Sequence, residues 1–294
     1  MIKILALGAH PELRAIKAQL KKENIELTVS AFSKVRLEIV NNKVDIYVKN
    51  SNIKNYDFVW INNNWTNRQL ANAIAVSLSR DKIAHTEVES EKSKLVDNVS
   101  LASSGVNIPN TFYVPTDKLK TSIRNIERVC RYPVIIKITR GSLGNGIYLA
   151  KNRAELKEII IKNLKKSKQY LCQEFIENDY DYRIIVSGMD KILSAEKRIR
   201  KDGEFRNNAY LGATEVFLSK DTLSKELVNI SRRSAEALQL DWTGIDIVRS
   251  TTNKRYYVLE LNRRPGLTKE SSEITAAYDY ILSILVDRGI YVES

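Results

Sequence analysis

The chain has 294 residues, 43% of them apolar, with 47 Lys and Arg against 35 Asp and Glu and a formal net charge of +12. It is long enough for two or three lobes with cores of their own, and no apolar run reaches membrane-spanning length, so no membrane association is expected. Its two cysteines, Cys130 and Cys172, exclude a disulfide framework and lack metal-ligand spacing, while the positive excess favours anionic partners: nucleotides, polyacidic peptides or nucleic acid.

Met1-Ile2-Lys3 opens directly onto a strand rather than a signal peptide, which with the unpaired thiols fits a cytoplasmic, reducing location. Ile2 to Gly8 reads as a buried strand, and Pro11 to Lys22 as a helix with Leu13, Ile16 and Leu20 on one face. Phe58 to Ile61 is a second short buried strand. Asn62-Asn63-Asn64-Trp65 ends it, and suits equally a ligand crevice and a turn before a helix cap. Thr66 can cap a helix through Arg80 that carries Leu70, Ile74 and Leu78. These alternations predict a small α/β lobe with a parallel sheet.

Further on, Ile135-Ile136-Lys137-Ile138 sets one lysine inside an apolar strand, just before Arg140-Gly141-Ser142-Leu143-Gly144-Asn145-Gly146. A buried lysine needs an anionic partner. A loop of three glycines can bring backbone N–H groups close to phosphate oxygens. It is not a P-loop, because the lysine precedes the glycines and no Gly-Lys-Ser/Thr follows; a plain glycine-bearing hairpin fits it as well. Asn152 with Glu155 offers a cap for a helix through Leu164. Tyr170 to Ile176 is a mostly apolar strand that includes the polar pair Gln173-Glu174, and Cys172 within it is expected to be a buried thiol. Asp181-Tyr182-Arg183 leads into a strand from Ile184 to Ser187, a turn at Gly188, and a strand from Ile192 to Arg198. Leu223, Leu227, Ile230 and Leu238 mark an amphipathic helix.

The most informative stretch is Tyr256-Tyr257-Val258-Leu259-Glu260-Leu261-Asn262-Arg263-Arg264-Pro265-Gly266. As a strand it puts Glu260 and Asn262 on one face. Gly244 to Arg249 reads as its antiparallel neighbour across the turn formers Ser250 to Lys254, which sets Asp246 beside Glu260. Two carboxylates and an amide make an oxygen-donor set suited to Mg²⁺. Ordinary solvent-facing strand residues would show the same pattern.

Taken in order, the segments 134–150, 171–176, 181–183, 205–208, 243–249 and 258–267 resemble the ATP-grasp carboxylate–amine ligases, closest to the RimK-like branch of ribosomal-protein glutamate ligases and lysine-biosynthesis ligases. The resemblance implies an α/β and α+β chain: an ATP-grasp fold preceded by a Rossmann-like lobe. Residues 1–89 would form that N-terminal lobe, 90–180 a linker helix and the small grasp lobe, and 181–294 the C-terminal lobe with the metal site.

The resemblance also assigns roles. Lys137 and Lys94 would bind nucleotide phosphates, with Gly141, Ser142 and Gly144 in a loop closing over them. Gln173, Glu174, Phe175 and Ile176 would form the adenine hinge, with the backbone pairing to the base, and Asp181 would accept the ribose hydroxyls. Arg183 and Arg206 would stabilise the transferring phosphoryl group, with Asn208 in the same patch. Asp246, Glu260 and Asn262 would hold Mg²⁺, two ions being expected and Mn²⁺ able to substitute. The implied reaction is ATP-dependent and ADP-forming: a carboxylate becomes an acyl phosphate and is joined to an amine of an amino acid or peptide. Relatives commonly form dimers or tetramers, so a homo-oligomer is expected.

No nucleophilic Ser or Cys is required, and His10 and His85, the only histidines, receive no catalytic role. Two stretches depart from the branch. Arg263-Arg264 stands where a small serine is usual, and Ala209-Tyr210-Leu211-Gly212-Ala213 replaces a basic double-glycine stretch. Both border the expected substrate region, so glutamate is not assumed as donor or acceptor. Lys197, Arg198, Arg200 and Lys201, with Arg206, Arg263 and Arg264, are expected to gather partly around the cleft and favour at least one anionic substrate. Two alternatives stay open: the same chemistry on a macromolecular acceptor such as a protein tail or nucleic acid, or a basic nucleic-acid-binding protein without turnover.

Overall fold

The computed structural model describes residues 1–63, 66–89, 93–141, 146–207, 211–269 and 271–291. The chain divides into two compact units, residues 1–90 with 263–294, and residues 91–262.

In the first unit β1 (Ile2–Leu7) is flanked by β2 (Ile25–Ser30) and, further along the chain, by the strand Phe58–Ile61, both parallel to it. A strand paired on both sides and covered on both faces must be apolar almost throughout, which is why Ile4 to Leu7 have no exposure. Pro11–Ile16 forms 3₁₀ turns, and only Lys17–Lys22 closes as α-helix (α1), so the expected helix is tighter in its first half. A three-stranded antiparallel sheet follows: β3 (Val35–Val40), β4 (Lys43–Val48) and β5 (Ser51–Asn52). Asn41 and Asn42 both take positive φ, +48° and +60°, as a two-residue hairpin turn needs. These strands lie outside the elements expected from sequence. Ile39 and Val40, 69% and 61% exposed on the edge strand, blur their alternation. After β6 (Phe58–Ile61), α2 (Arg68–Arg80) starts from Asn67 rather than Thr66, and β7 (Ala84–His85) completes the parallel order β2-β1-β6-β7.

Gly8 is fixed by that packing. Its φ is +75°, and an added Cβ would stand 2.4 Å from the Phe32 ring and 2.5 Å from the Asn62 carbonyl oxygen. Gly8→Ala is expected to destabilise the first unit by about 2 kcal/mol, from positive-φ strain and the clash together. An unchanged thermal melt would contradict this.

The second unit opens with α3 (Lys94–Ser103), capped by Ser93 Oγ, which accepts from Val96 N at 3.1 Å. A four-stranded antiparallel sheet follows in the order β10-β9-β11-β8, from β8 (Thr111–Tyr113), β9 (Val134–Ile138), β10 (Ile147–Ala150) and β11 (Tyr170–Glu174). It packs on α4 (Ile123–Cys130) and α5 (Arg153–Glu158) around Ile126, Val134, Ile136, Leu156 and Cys172. The Asn152 cap is present, its Oδ1 accepting from Glu155 N at 3.0 Å, but α5 stops at Glu158 and passes into a wider π turn, Ile159–Asn163. Cys172 is the buried thiol expected, and burial pushes both cysteine thiols up to about 12.

A second antiparallel sheet, β14-β13-β12-β15-β16, is built from β12 (Asp181–Ser187), β13 (Lys191–Ile199), β14 (Thr214–Phe217), β15 (Trp242–Arg249) and β16 (Tyr256–Asn262). Its period of two separates the faces. Tyr182, Ile184, Ala195, Ile245, Ile247 and Leu261 join a core with Leu227 and Ala235 of α6 (Lys225–Ala237) and Leu101 of α3. The alternate positions carry charge.

Residues 263–294, expected with the preceding lobe, group with the first unit. Their helix α7 (Ser272–Asp287) buries Ala276, Ala277, Tyr280, Ile281 and Leu285, and the Tyr280 ring lies 4.9 Å from that of Trp60. The hydroxyls of Tyr278 and Tyr291 donate to Glu23.

Candidate active site

The charged face of the five-stranded sheet is set by register. Arg183 is paired across β12 and β15 with Asp246, and Asp246 across β15 and β16 with Glu260, the arrangement the hairpin predicted. Directly opposed residues of antiparallel strands share a face. Arg183 grips Asp246 with two bonds of 2.9 and 3.0 Å, and Asn262 Nδ2 donates to the same carboxylate at 3.3 Å. Two more cations arrive from elsewhere in the unit. Lys94 Nζ pairs with Glu260 and donates to the Gly141 carbonyl at 3.4 Å. Lys137 Nζ donates to the Leu259 carbonyl at 3.2 Å.

Both lysines are placed against local preference. Lys94 is the first residue of α3, where the helix dipole opposes a cation, yet it is only 6% exposed. Lys137 lies on the face of β9 opposite Val134 and Ile136 and is equally buried. Burial and the neighbouring Lys94 push Lys137 down to about 8, against the opposing pull of Glu260, Asp246 and Asp97. Two buried cations thus converge beside the paired carboxylates.

Arg198 and Asp181 complete the cluster. Asp181 receives both bonds of the Arg198 guanidinium, at 2.8 and 2.6 Å, and Arg198 also reaches Asp246 at 3.0 Å. Burial would raise the Asp246 carboxyl, but Arg183 and Arg198 outweigh it and hold it down at about 2. Asp181 moves the other way: burial, only partly offset by Arg198, lifts it to about 6.

Several of the other residues expected at the site are engaged within the chain. Asp181, expected to meet a ribose, is an interior ion-pair partner with 4% exposure. Arg198 is held within the sheet by two carboxylates. The rest of the basic run is dispersed: Lys197 stacks 4.5 Å over the Tyr180 ring, Arg200 donates to Asn178, and Lys201 is exposed. Arg263 makes a two-pronged pair with Glu89, and Arg264 donates to the Ala9 carbonyl, both within the first unit. Arg206 is forked onto Glu204, two residues away, at 2.8 and 2.7 Å.

In the hinge, Gln173 Nε2 donates to Asn98 Oδ1 and Thr111 Oγ1, both at 2.9 Å, and Glu174 accepts from Asn110 Nδ2 at 2.7 Å. Phe175 N–H and the Ile176 carbonyl, expected at an adenine edge, are engaged by Pro133 and Asn178. Ser142, Gly144 and Asn208 lie outside the described residues. Of α3, only Lys94 was expected at the site. Lys94, Asp97 and Asn98, followed by Leu101, recur at helical spacing and are all buried, a polar stripe that continuing periodicity could have revealed.

The oxygen donors that could hold a divalent cation are those of Asp246, Glu260 and Asn262. Among the described residues no cluster of three or more His, Cys, Asp or Glu forms a metal site. Two carboxylates and an amide leave coordination positions for water and phosphate, which suits Mg²⁺.

Residues 91–284, more than half of the chain, match the family described as RimK-like ATP-grasp domain. Over 200 residues the chain is 33% identical to a Shewanella loihica protein named probable alpha-L-glutamate ligase, covering 66% of this chain and 59% of that protein. The match thus spans less than two thirds of that relative's length. Among solved structures, the ATP-grasp ligase PsnB, complexed with minimal precursor, Mg and ADP, superimposes with a TM-score of 0.69 at 16% identity over 95% of this chain and 96% of that one. D-alanyl-alanine synthetase A of Vibrio cholerae gives 0.66 at 13% identity over 97% and 98%. At such identities the two structures speak for the fold, which is that of ATP-grasp ligases, with parallel α/β and antiparallel α+β parts. Since the matched segment contains the whole cluster from Lys94 to Asn262, the chain belongs to the RimK-like ATP-grasp family.

Proposed function

We propose that the chain is an ADP-forming ligase that joins a carboxylate to an amine. The observation that carries this reading is the convergence of Lys94, Lys137 and Arg183 on the paired carboxylates Asp246 and Glu260. Phosphoryl transfer needs cations around the moving oxygens and oxygen donors for a metal, and little covalent help from the protein. A substrate carboxylate oxygen attacks the γ-phosphorus of ATP and ADP leaves. The amine nitrogen then attacks the acyl phosphate carbonyl carbon, phosphate leaves, and the nitrogen loses a proton. Lys94 and Lys137 offset phosphate charge, Arg183 and Arg206 steady the transferring group, and Gln173 to Ile176 border the base. Asp246, Glu260 and Asn262 would hold Mg²⁺, two ions or Mn²⁺ in its place. Bound there, the metal supplies positive charge to the phosphoryl oxygens.

The acceptor is an amino acid or peptide, and at least one substrate is anionic, in keeping with the charge of +12. That charge also favours a macromolecular acceptor as the second reading. A homo-oligomer, dimer or tetramer, belongs to the same proposal and is read by light scattering. No described helix is long and apolar enough to cross a membrane.

The deciding experiment follows ADP and phosphate release with Mg²⁺-ATP against pooled amino acids, dipeptides and acidic peptides. Release tied to one pair, with a product lighter by one water than the two reactants, supports the ligase. Failure to bind ATP would end the reading.

Lys137 gives a pH test. Its proton leaves the folded chain near pH 8 but the unfolded chain only near 10.5, so this group adds stability as pH rises between the two. Anion binding has the opposite preference, since it needs the charged lysine. Nucleotide affinity should fall by up to about ten-fold per pH unit above 8, with uptake of about one proton on binding. Calorimetry in buffers of different ionisation enthalpy reads that proton; a buffer-independent heat at pH 9 would refute the role.

A further inference from the structure

Glu196 has no part in the reading above. It lies on β13, is 1% exposed, and pairs in register with Arg183. Arg183 pairs onward with Asp246, and Asp246 with Glu260, so four charged residues stand in one row across four strands: Glu196, Arg183, Asp246, Glu260. Arg198, two residues beyond Glu196, shares its face and reaches Asp181 and Asp246. A carboxylate this deep is kept only beside cations, and both guanidiniums feel the charge of Glu196. Burial opposes the positive charge of Arg183 and Arg198; Asp246 counters it most at both, Asp181 next at Arg198, and Glu196 adds a smaller share at each.

The row contains a competition. Arg183 and Arg198 both bond Asp246, the carboxylate a divalent cation also needs. A cation arriving there is repelled by two guanidiniums unless their charge has another counter-ion. Asp181 serves Arg198. On β13, directly opposite Arg183, that place is taken by Glu196.

We propose that Glu196 is a positioning residue that shares the charge of Arg183 and Arg198 with Asp246, keeping Asp246 available to a divalent cation and limiting the pull of the arginines on a metal-free anion. This rests on the nucleotide-and-metal reading of the same face. It predicts shifts of opposite sign, which a merely structural role would not produce.

The test uses the full chain, with Mn²⁺ alone followed by electron paramagnetic resonance and metal-free ADP followed by calorimetry. In Glu196→Gln, Mn²⁺ affinity should fall about ten-fold while ADP without metal binds about three-fold tighter, as loss of one negative charge at low effective dielectric demands. Glu196→Asp keeps the charge but draws it back, and should shift both affinities in the same directions by about two-fold, which also serves if the Gln variant does not fold. Losses in both affinities, or no change in either, would overturn the role of Glu196 alone. Wild-type protein that binds neither probe would overturn the reading of the face and this proposal with it.

Discussion

Arg198→Met is expected to lower the stability of the 91–262 unit by about 3–5 kcal/mol at pH 8, and by clearly less at pH 5. Methionine nearly fills the volume but leaves two acids short of a partner. The Arg198 and Asp181 side chains are 4% and 5% exposed, so solvent screens neither, and Asp246 shares the same guanidinium at 3.0 Å. Breaking a buried pair by removing one member leaves an uncompensated charge, which is worse than having no pair. The pH dependence follows from Asp181. With Arg198 present burial already lifts its carboxyl to about 6, and without Arg198 it must rise further. The folded variant then holds a proton that the unfolded chain releases near 3.8, so stability falls as pH rises. Urea unfolding at the two pH values measures this. Equal losses at both, or a loss below about 1 kcal/mol, would show that the cluster is not the electrostatic unit described.

Glu260→Gln is expected to remove ATP turnover by at least about 100-fold with the fold retained. Gln keeps the shape and can still accept from Lys94, but it carries no charge. The Glu260 side chain is 30% exposed, so its own desolvation is modest, whereas the Lys94 side chain, 7% exposed, depends on it for a counter-ion. Lys94→Met should therefore also slow turnover, and the double variant should lose less than the product of the two single losses, as residues acting as a unit do. Turnover above about one third of wild type in Glu260→Gln, with the melting temperature unchanged, would remove Glu260 from the metal set.

The strands of the candidate site could be read from the sequence. The hairpin from Trp242 to Asn262 follows from alternation and turn formers between Ser250 and Lys254, and the structure pairs Asp246 with Glu260 as that register requires. Lys137 was legible as an oddity inside an apolar strand, and Lys94 only through family resemblance. The β3–β4 hairpin was not legible, because half its surface faces water and apolar Ile39 and Val40 break the alternation. Nor was the place of α7: its apolar face shows that it must be covered, but not by what, and Trp60, 220 positions earlier than Tyr280, supplies the answer.

By itself, then, the sequence determined which residues share a face, since strand and helix periods are local, and which chemistry they can carry. Only the tertiary structure decided how the charges are distributed among partners. Arg198 and Arg206 look alike in the chain, yet one is locked between Asp181 and Asp246 while the other is held by Glu204. Asp181 and Asp246 are both acids on neighbouring strands, yet one is raised to about 6 and the other held near 2. The reason is that burial and the count of cations around a carboxylate depend on cross-strand neighbours, here 17 and 63 residues away along the chain, which no local pattern records.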